Sequence, residues 1–238
     1  MTAKMRDSTA PKHLIRAAIK EYKEAYADVS AANLDQPTIS SNLAIVRGLY
    51  SVGESREACL EPAIKAAELY TEWVRCSKGS LEWSFEAELN NEFIGGVFLA
   101  GKADDLFQVW REARWAEAWS EWELVCLDLL CRAFGGKSPA APKIRPGRAQ
   151  IPPPMQPLVP MLQAMIDDDR SKFGPALVAF LTKSWGPSAE KGAKVALRSH
   201  WPLYTGKWSL LSAAACRKMD AIPEIPKKVQ LYFPNELV

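Results

Sequence analysis

A chain of 238 residues, 48% hydrophobic and 24% charged, is long enough for one large core or two small lobes sharing a core. No run approaches the roughly 18 apolar residues that a membrane span needs. The start, Met1 to Asp7, has charge but no apolar stretch behind it. A secretory signal is therefore not expected, and the cytoplasm is the expected compartment.

Thr9 and Pro11 open the first predicted helix, as a cap followed by an early proline. It runs to about Ser30, with Leu14, Ala18, Tyr22 and Ala25 or Tyr26 on one face. Asp35-Gln36-Pro37 starts the second, carrying Ile39, Leu43, Val46 and Tyr50, and Gly53 breaks it. The third runs from about Ser55 to Cys76 with Cys59, Ala63, Ala66, Tyr70 and Trp73 in register. Pro62 suggests a true start at Leu60. The fourth carries Phe85, Leu89, Phe93, Val97 and Ala100, and Gly101 ends it. Its Gly95-Gly96 pair predicts a kink or a close helix crossing, because each interior glycine costs about 1 kcal/mol. Asp104 and Asp105 suit the first turn of a fifth helix.

Trp115, Trp119, Trp122, Cys126, Leu129 and Ala133 step by four and three and predict one continuous helical seam. A core seam is the expectation for such a stripe. Gly135-Gly136 stops it. Residues 135–157 hold seven prolines and four bases (Lys137, Lys143, Arg145, Arg148) with no acid, and read as a mobile Pro-rich linker. Leu158, Leu162, Met165 and Ile166 make a short helix ending in Asp167-Asp168-Asp169. Phe173, Leu177, Phe180 and Leu181 make the next, and residues 188–198 another candidate. Trp208, Leu211, Ala215 and Met219 form one face of the last helix, with Ser209, Ser212, Ala213 and Cys216 a small-residue face beside it. Residues 229–233 read as a short extended segment. Such an apolar ending must be buried by what precedes it, so the C-terminus is expected to close the core.

The expected class is all-α: a single compact domain of about nine or ten helices. It divides into a helical part at 1–134, a linker at 135–157, and a second helical part at 158–238 packed on the first. Residues 1–134 hold 15 Lys and Arg against 21 Asp and Glu, whereas residues 135–238 hold 15 against 7. Between Glu82 and Glu123 ten acids face three bases. This is either a solvated face or a docking surface for a basic partner.

The sequence carries no recognisable catalytic or metal constellation. Only His13 and His200 exist, far apart in sequence. Cys126 and Cys131 would lie roughly 140° apart on a helix, which is poor metal geometry. Five cysteines in apolar helices argue for reduced, buried thiols. No phosphate-cradling loop, nucleophile elbow or dinucleotide fingerprint occurs. Acids at a helix C-terminus oppose the dipole, which marks Asp167 to Asp169 for a role other than stability. The basic linker lacks the interleaved aromatics of a nucleic-acid binder.

Three stretches carry a family resemblance: Leu49-Tyr50-Ser51-Val52-Gly53-Glu54-Ser55, the paired helices around the Asp-rich junction ending at Trp185, and Tyr204-Thr205-Gly206-Lys207-Trp208-Ser209-Leu210-Leu211 with Ser212 to Ala215, followed by Leu231-Tyr232-Phe233-Pro234-Asn235-Glu236-Leu237. Together they resemble the immunity proteins of polymorphic-toxin DNases (the PoNe/PoNi type). Lys207 stands where that family usually has Tyr, Leu211 where it has an acid, and Glu236 where it has a final Asp. The resemblance implies a non-enzymatic bacterial antitoxin that blocks a secreted toxin, delivered by contact-dependent or type VI secretion in interbacterial competition. The expected partner is a cognate toxin, with no nucleic acid, membrane, metal or cofactor; a homodimer is left open.

On this expectation Glu82, Glu86, Glu117 and Glu121, with Asp167, Asp168 and Asp169, form the toxin-binding face, and Trp83 or Trp110 is the aromatic anchor. The alternative is a helical-repeat adaptor, suggested by the small-residue, Tyr-bearing run from Ala58 to Trp73, although no period near 34 residues recurs. An enzyme with an unrecognised site is the third option.

Overall fold

The computed structural model describes residues 12–25, 36–77, 92–112, 120–136, 150–153, 155–184, 209–226, 233 and 237–238. Among these there are nine helices and no strand: α1 (Lys12–Ala25), α2 (Gln36–Val52), α3 (Arg56–Ser77), α4 (Phe93–Leu99), α5 (Ala103–Glu112), α6 (Glu121–Ala133), α7 (Leu158–Ile166), α8 (Arg170–Ser184) and α9 (Ser209–Met219). The protein is an all-α domain.

The first three helices pack in chain order, α1 on α2 and α2 on α3. The apolar register expected for α2 is met, with Ile39, Leu43, Val46 and Tyr50 all buried. In α1 the buried stripe is Ile15, Ile19 and half-buried Tyr22, while Leu14 is 49% exposed. The stripe through Ile15 offers two branched side chains one turn apart, so the helix turns that face inward and leaves Leu14 outside. Gly53 ends α2 at φ 91°. α3 begins at Arg56 rather than Leu60, because the Ser55 hydroxyl accepts the Ala58 N–H at 3.2 Å and caps the helix. Pro62 is therefore an interior residue that α3 absorbs.

α4 lies at the centre, in contact with α2, α3, α5 and α9. All seven of its residues are buried, and a helix that is apolar all round has only the interior to occupy. Ring contacts fix it to its neighbours: Phe93 to Tyr70 of α3 at 5.4 Å between centroids, Phe98 to Phe107 of α5 at 5.7 Å, and Phe98 to Phe134 at 4.1 Å. Gly101 ends it at φ 73°, where its N–H bonds Phe98 O and the Lys102 N–H bonds Val97 O.

The close crossing predicted at Gly95-Gly96 is present. A Cβ on Gly95 would sit 2.6 Å from the Leu211 backbone nitrogen of α9.

The Trp seam is not one helix. Ser120 is the N-cap of α6 in a capping box with Glu123, whose Oε2 accepts from the Ser120 N–H at 2.8 Å and the Ser120 hydroxyl at 2.6 Å. The register from half-buried Trp122 through Cys126, Leu129 and Ala133 holds. Trp115 and Trp119 lie outside the described residues.

α6 packs on α7 and α7 on α8, while α9 touches both α8 and α4. The last helix thus joins the two helical parts. The expected linker at 135–157 is shorter than its composition suggests. Gly135 and Gly136 belong to the end of α6, bonding Arg132 O and Cys131 O. At the other end Met155 is fully buried, and a turn from Pro152 leads into α7. Residues 137–149, like the candidate helix at 188–198, lie outside the described set.

The C-terminus closes the core as expected. Every residue of α9 except Arg217 and Lys218 is buried, Phe233 and Leu237 are buried with it, and the Tyr50 hydroxyl donates to Phe233 O at 2.8 Å. The extended segment at 229–233 is described only at Phe233.

Candidate binding surface

Of the residues expected to form a toxin-binding face, Glu82, Trp83, Glu86 and Glu117 lie outside the described residues. Glu121 is exposed in the first turn of α6. Asp104 and Glu112 of α5 are exposed too, and none of these three is in an ion pair among the described residues. Trp110 is not available as an anchor. It is 0% exposed and packs against Phe107, with ring centroids 6.0 Å apart, inside the core. Its position on the inner face of α5, beside Leu106, Phe107 and Val109, accounts for that.

The triple Asp has a structural explanation. Asp167 caps α7 and accepts from Gln163 Nε2 at 2.9 Å. Asp168 takes the left-handed turn position at φ 50°, and the Asp169 N–H bonds Ala164 O at 2.9 Å, which closes α7. Asp169 then caps α8: its Oδ1 accepts from the Lys172 N–H at 3.1 Å and the Ser171 hydroxyl at 2.6 Å. With the Lys172 ammonium at 2.7 Å, these bonds hold the Asp169 carboxyl well below the usual range. The acids that seemed misplaced at one helix end serve the start of the next. Asp167 and Asp168 remain exposed; Asp169 is half-buried and engaged.

Two open grooves flank α3. One, of about 400 Å³, is lined by Tyr22 and Lys23 of α1, Asn42 and Ile45 of α2, and Glu61, Ile64, Lys65 and Glu68 of α3. The other, of about 270 Å³, lies between α3 and α5 and is lined by Glu68, Glu72, Arg75, Lys102 and Asp105. Arg75 pairs with Glu72, and Lys102 with Asp105 at 3.9 Å. Bases offset the acids in both grooves, so neither is a one-sign surface. Outside the grooves, exposed acids in no ion pair among the described residues stand on α5, at the head of α6 and at the α7–α8 junction, as Glu21 and Glu57 do on α1 and α3 and Glu224 does after α9.

Glu92, counted by sequence among the surface acids, is 1% exposed. Its backbone is left-handed at φ 64°, and its carboxylate reaches across to the first turn of α9. Oε1 accepts from the Ser209 N–H at 2.5 Å, the Ser209 hydroxyl at 2.8 Å and the Leu210 N–H at 3.3 Å, and Oε2 from the Leu210 N–H at 3.2 Å. Two of the unpaired N–H groups at that helix start are satisfied by an acid more than a hundred residues earlier. Burial pushes the Glu92 carboxyl up to about 7, against the opposing pull of Arg47 on α2 and the donors at Ser209 and Leu210. Glu123 is the second buried acid of that run, at 6% exposure. The sequence signal for Glu92 was its place immediately before the all-apolar run Phe93 to Leu99, which carries it inside. Leu211, the departure from the family pattern, is 1% exposed against Gly95, whereas Lys207 lies outside the described residues.

Among the described residues no group of three His, Cys, Asp or Glu could hold a metal ion. His13 is exposed on α1. None of the five cysteines is in a disulfide, and burial pushes the Cys126, Cys131 and Cys216 thiols up to about 12. Cys76 departs from the expectation of buried thiols: it is exposed, at the end of α3. A thiol-alkylating reagent added to the native protein is expected to modify Cys76 first and to spare Cys59, Cys126, Cys131 and Cys216 until denaturant is added. Peptide mass spectrometry over a time course checks this, and equally rapid labelling of a buried cysteine contradicts it.

Compared with protein-family models, curated proteins and solved structures, the chain matches none of them.

Proposed function

We propose that the protein is an immunity protein that binds a cognate secreted toxin, a nuclease effector, and occludes its active site. The observation that carries this beyond the sequence resemblance is the placement of the acids. Asp104, Glu112 and Glu121, with Asp167 and Asp168, are exposed, and none of the five is in an ion pair among the described residues. Nuclease active-site surfaces are basic because they hold phosphate. Unpaired carboxylates on a rigid helical scaffold suit such a surface, and they raise the association rate as well as the affinity.

Reversing Glu86, Glu117 and Glu121 to Lys is expected to weaken binding to the cognate toxin by at least about tenfold, more at low salt than at high. The thermal melt of the variant should match that of the parent. Unchanged affinity, or loss of co-expression rescue only where the variant is unfolded, would remove the acidic face from the mechanism.

A helical-repeat adaptor is less well supported. Neighbour-on-neighbour packing through α1, α2 and α3 is what such an array gives, but α9 packs on α4 across most of the second half of the chain.

A further inference from the structure

Where the end of α9 meets the start of α3, Arg56 and Arg217 line an open pocket of about 570 Å³ with Asp220, Ala221, Ile222 and Val238. Arg56 is the first residue of α3. Arg217, in the last turn of α9, donates from Nη1 to the Leu99 carbonyl at 3.1 Å, which ties it to the end of α4, and among the described residues no acceptor takes its other donors. Among the described residues neither guanidinium is in an ion pair, and Arg56 Nε has no acceptor.

Two acids are near. Glu57 is exposed, and its carboxyl is held low by its own backbone N–H and by Ser55, with a smaller contribution from Arg56. Asp220 has a side chain 93% exposed and lies 3.8 Å from Arg170. The wall it stands on is a fixed turn: Asp220 is left-handed at φ 48°, and the Ala221 N–H bonds Cys216 O at 3.1 Å. Ile222, 56% exposed, adds an apolar surface.

We propose that this pocket binds a small organic anion, its phosphate or carboxylate head held by the Arg56 and Arg217 guanidinium groups and its apolar body against Ile222. Two planar forks in no ion pair among the described residues match an oxyanion, which accepts paired N–H bonds from each. The volume is that of a small-molecule site. The site is independent of toxin binding, so failure of either proposal leaves the other standing.

Calorimetric titration of the full chain with phenyl phosphate, benzoate and inorganic phosphate tests it. Phenyl phosphate or benzoate is expected to saturate with a Kd of about 1 mM or tighter, and the tighter of the two identifies the head group. Joint substitution Arg56→Gln and Arg217→Gln is expected to abolish binding. Arg217→Lys, which keeps the charge and loses the fork, should weaken it several-fold, and Asp220→Asn should tighten it. If the double variant does not fold, the Arg217→Lys and Asp220→Asn results decide, since both positions are exposed. Absence of saturable binding by all three probes, or binding that neither single variant moves, overturns the proposal. Equal affinity for inorganic phosphate and phenyl phosphate overturns its apolar half.

Discussion

Replacing Glu92 by Ala is expected to destabilise the fold by about 3 to 5 kcal/mol, read as a shift in the urea or thermal unfolding midpoint. The truncation leaves the Ser209 and Leu210 N–H groups buried at the start of α9 without their acceptor, and it removes the carboxylate that faces Arg47. A loss below about 1 kcal/mol would show that the α9 start is held by something else.

Glu92→Gln separates charge from shape. The Glu92 carboxyl is raised by burial from 4.5 to about 7, so the folded protein holds this proton over a range where the unfolded chain has released it. The stabilisation is fully present below pH 4.5 and is lost as pH rises through 7. Between pH 5 and pH 8 the parent is therefore expected to lose roughly 2 to 3 kcal/mol relative to Glu92→Gln. Parallel unfolding curves for the two proteins across that range would place the Glu92 carboxyl near its ordinary value instead.

The second large effect is Gly95→Ala, expected to destabilise by about 2 to 4 kcal/mol. In an ordinary helix interior the same change stabilises by about 1 kcal/mol. Here the new methyl would meet the Leu211 backbone nitrogen at 2.6 Å and Glu92 Oε2 at 2.9 Å, so α4 and α9 must separate or the carboxylate must leave its donors. Gly96→Ala is the internal control. Its methyl meets Leu43 Cδ2 at 2.6 Å, the far end of a side chain that can rotate, and the loss there should be about 1 kcal/mol or less. Similar losses at the two positions would mean that the contact between α4 and α9 is not what glycine serves.

Much of the helical register could be read directly. The apolar steps of α2 and α8 are buried residue by residue, and those of α3 and α7 likewise except for half-buried Trp73 and Ile166, because a stripe at helical spacing has one face to bury. Helix boundaries were harder where a side chain overrides a composition signal. Pro62 suggested a late start for α3, and the Ser55 cap placed it earlier. The seam through Trp115 ran past Ser120 without a visible break, since Ser is unremarkable on a helix until Glu123 turns back to complete a capping box.

The acidic run was the least legible feature. Charge counts cannot tell an acid drawn inside by the run that follows it, as Glu92 is, from one left in water, as Glu121 is. The three consecutive Asp residues looked misplaced only while α7 was considered alone. The start of α8, immediately after, gives Asp169 its partners.

The dependence of α4 on α9 also bears on the order in which the chain can be completed during synthesis. α2 packs on α1 and α3 on α2, so these helices can associate as they leave the ribosome, whereas the surface of α4 around Gly95 and the carboxylate of Glu92 have their partners in α9, more than a hundred residues later. Until α9 emerges, Glu92 lacks its Ser209 and Leu210 donors and the face of α4 around Gly95 is uncovered. The region most in need of protection from aggregation thus lies on an internal helix, and the arrival of α9 relieves that exposure.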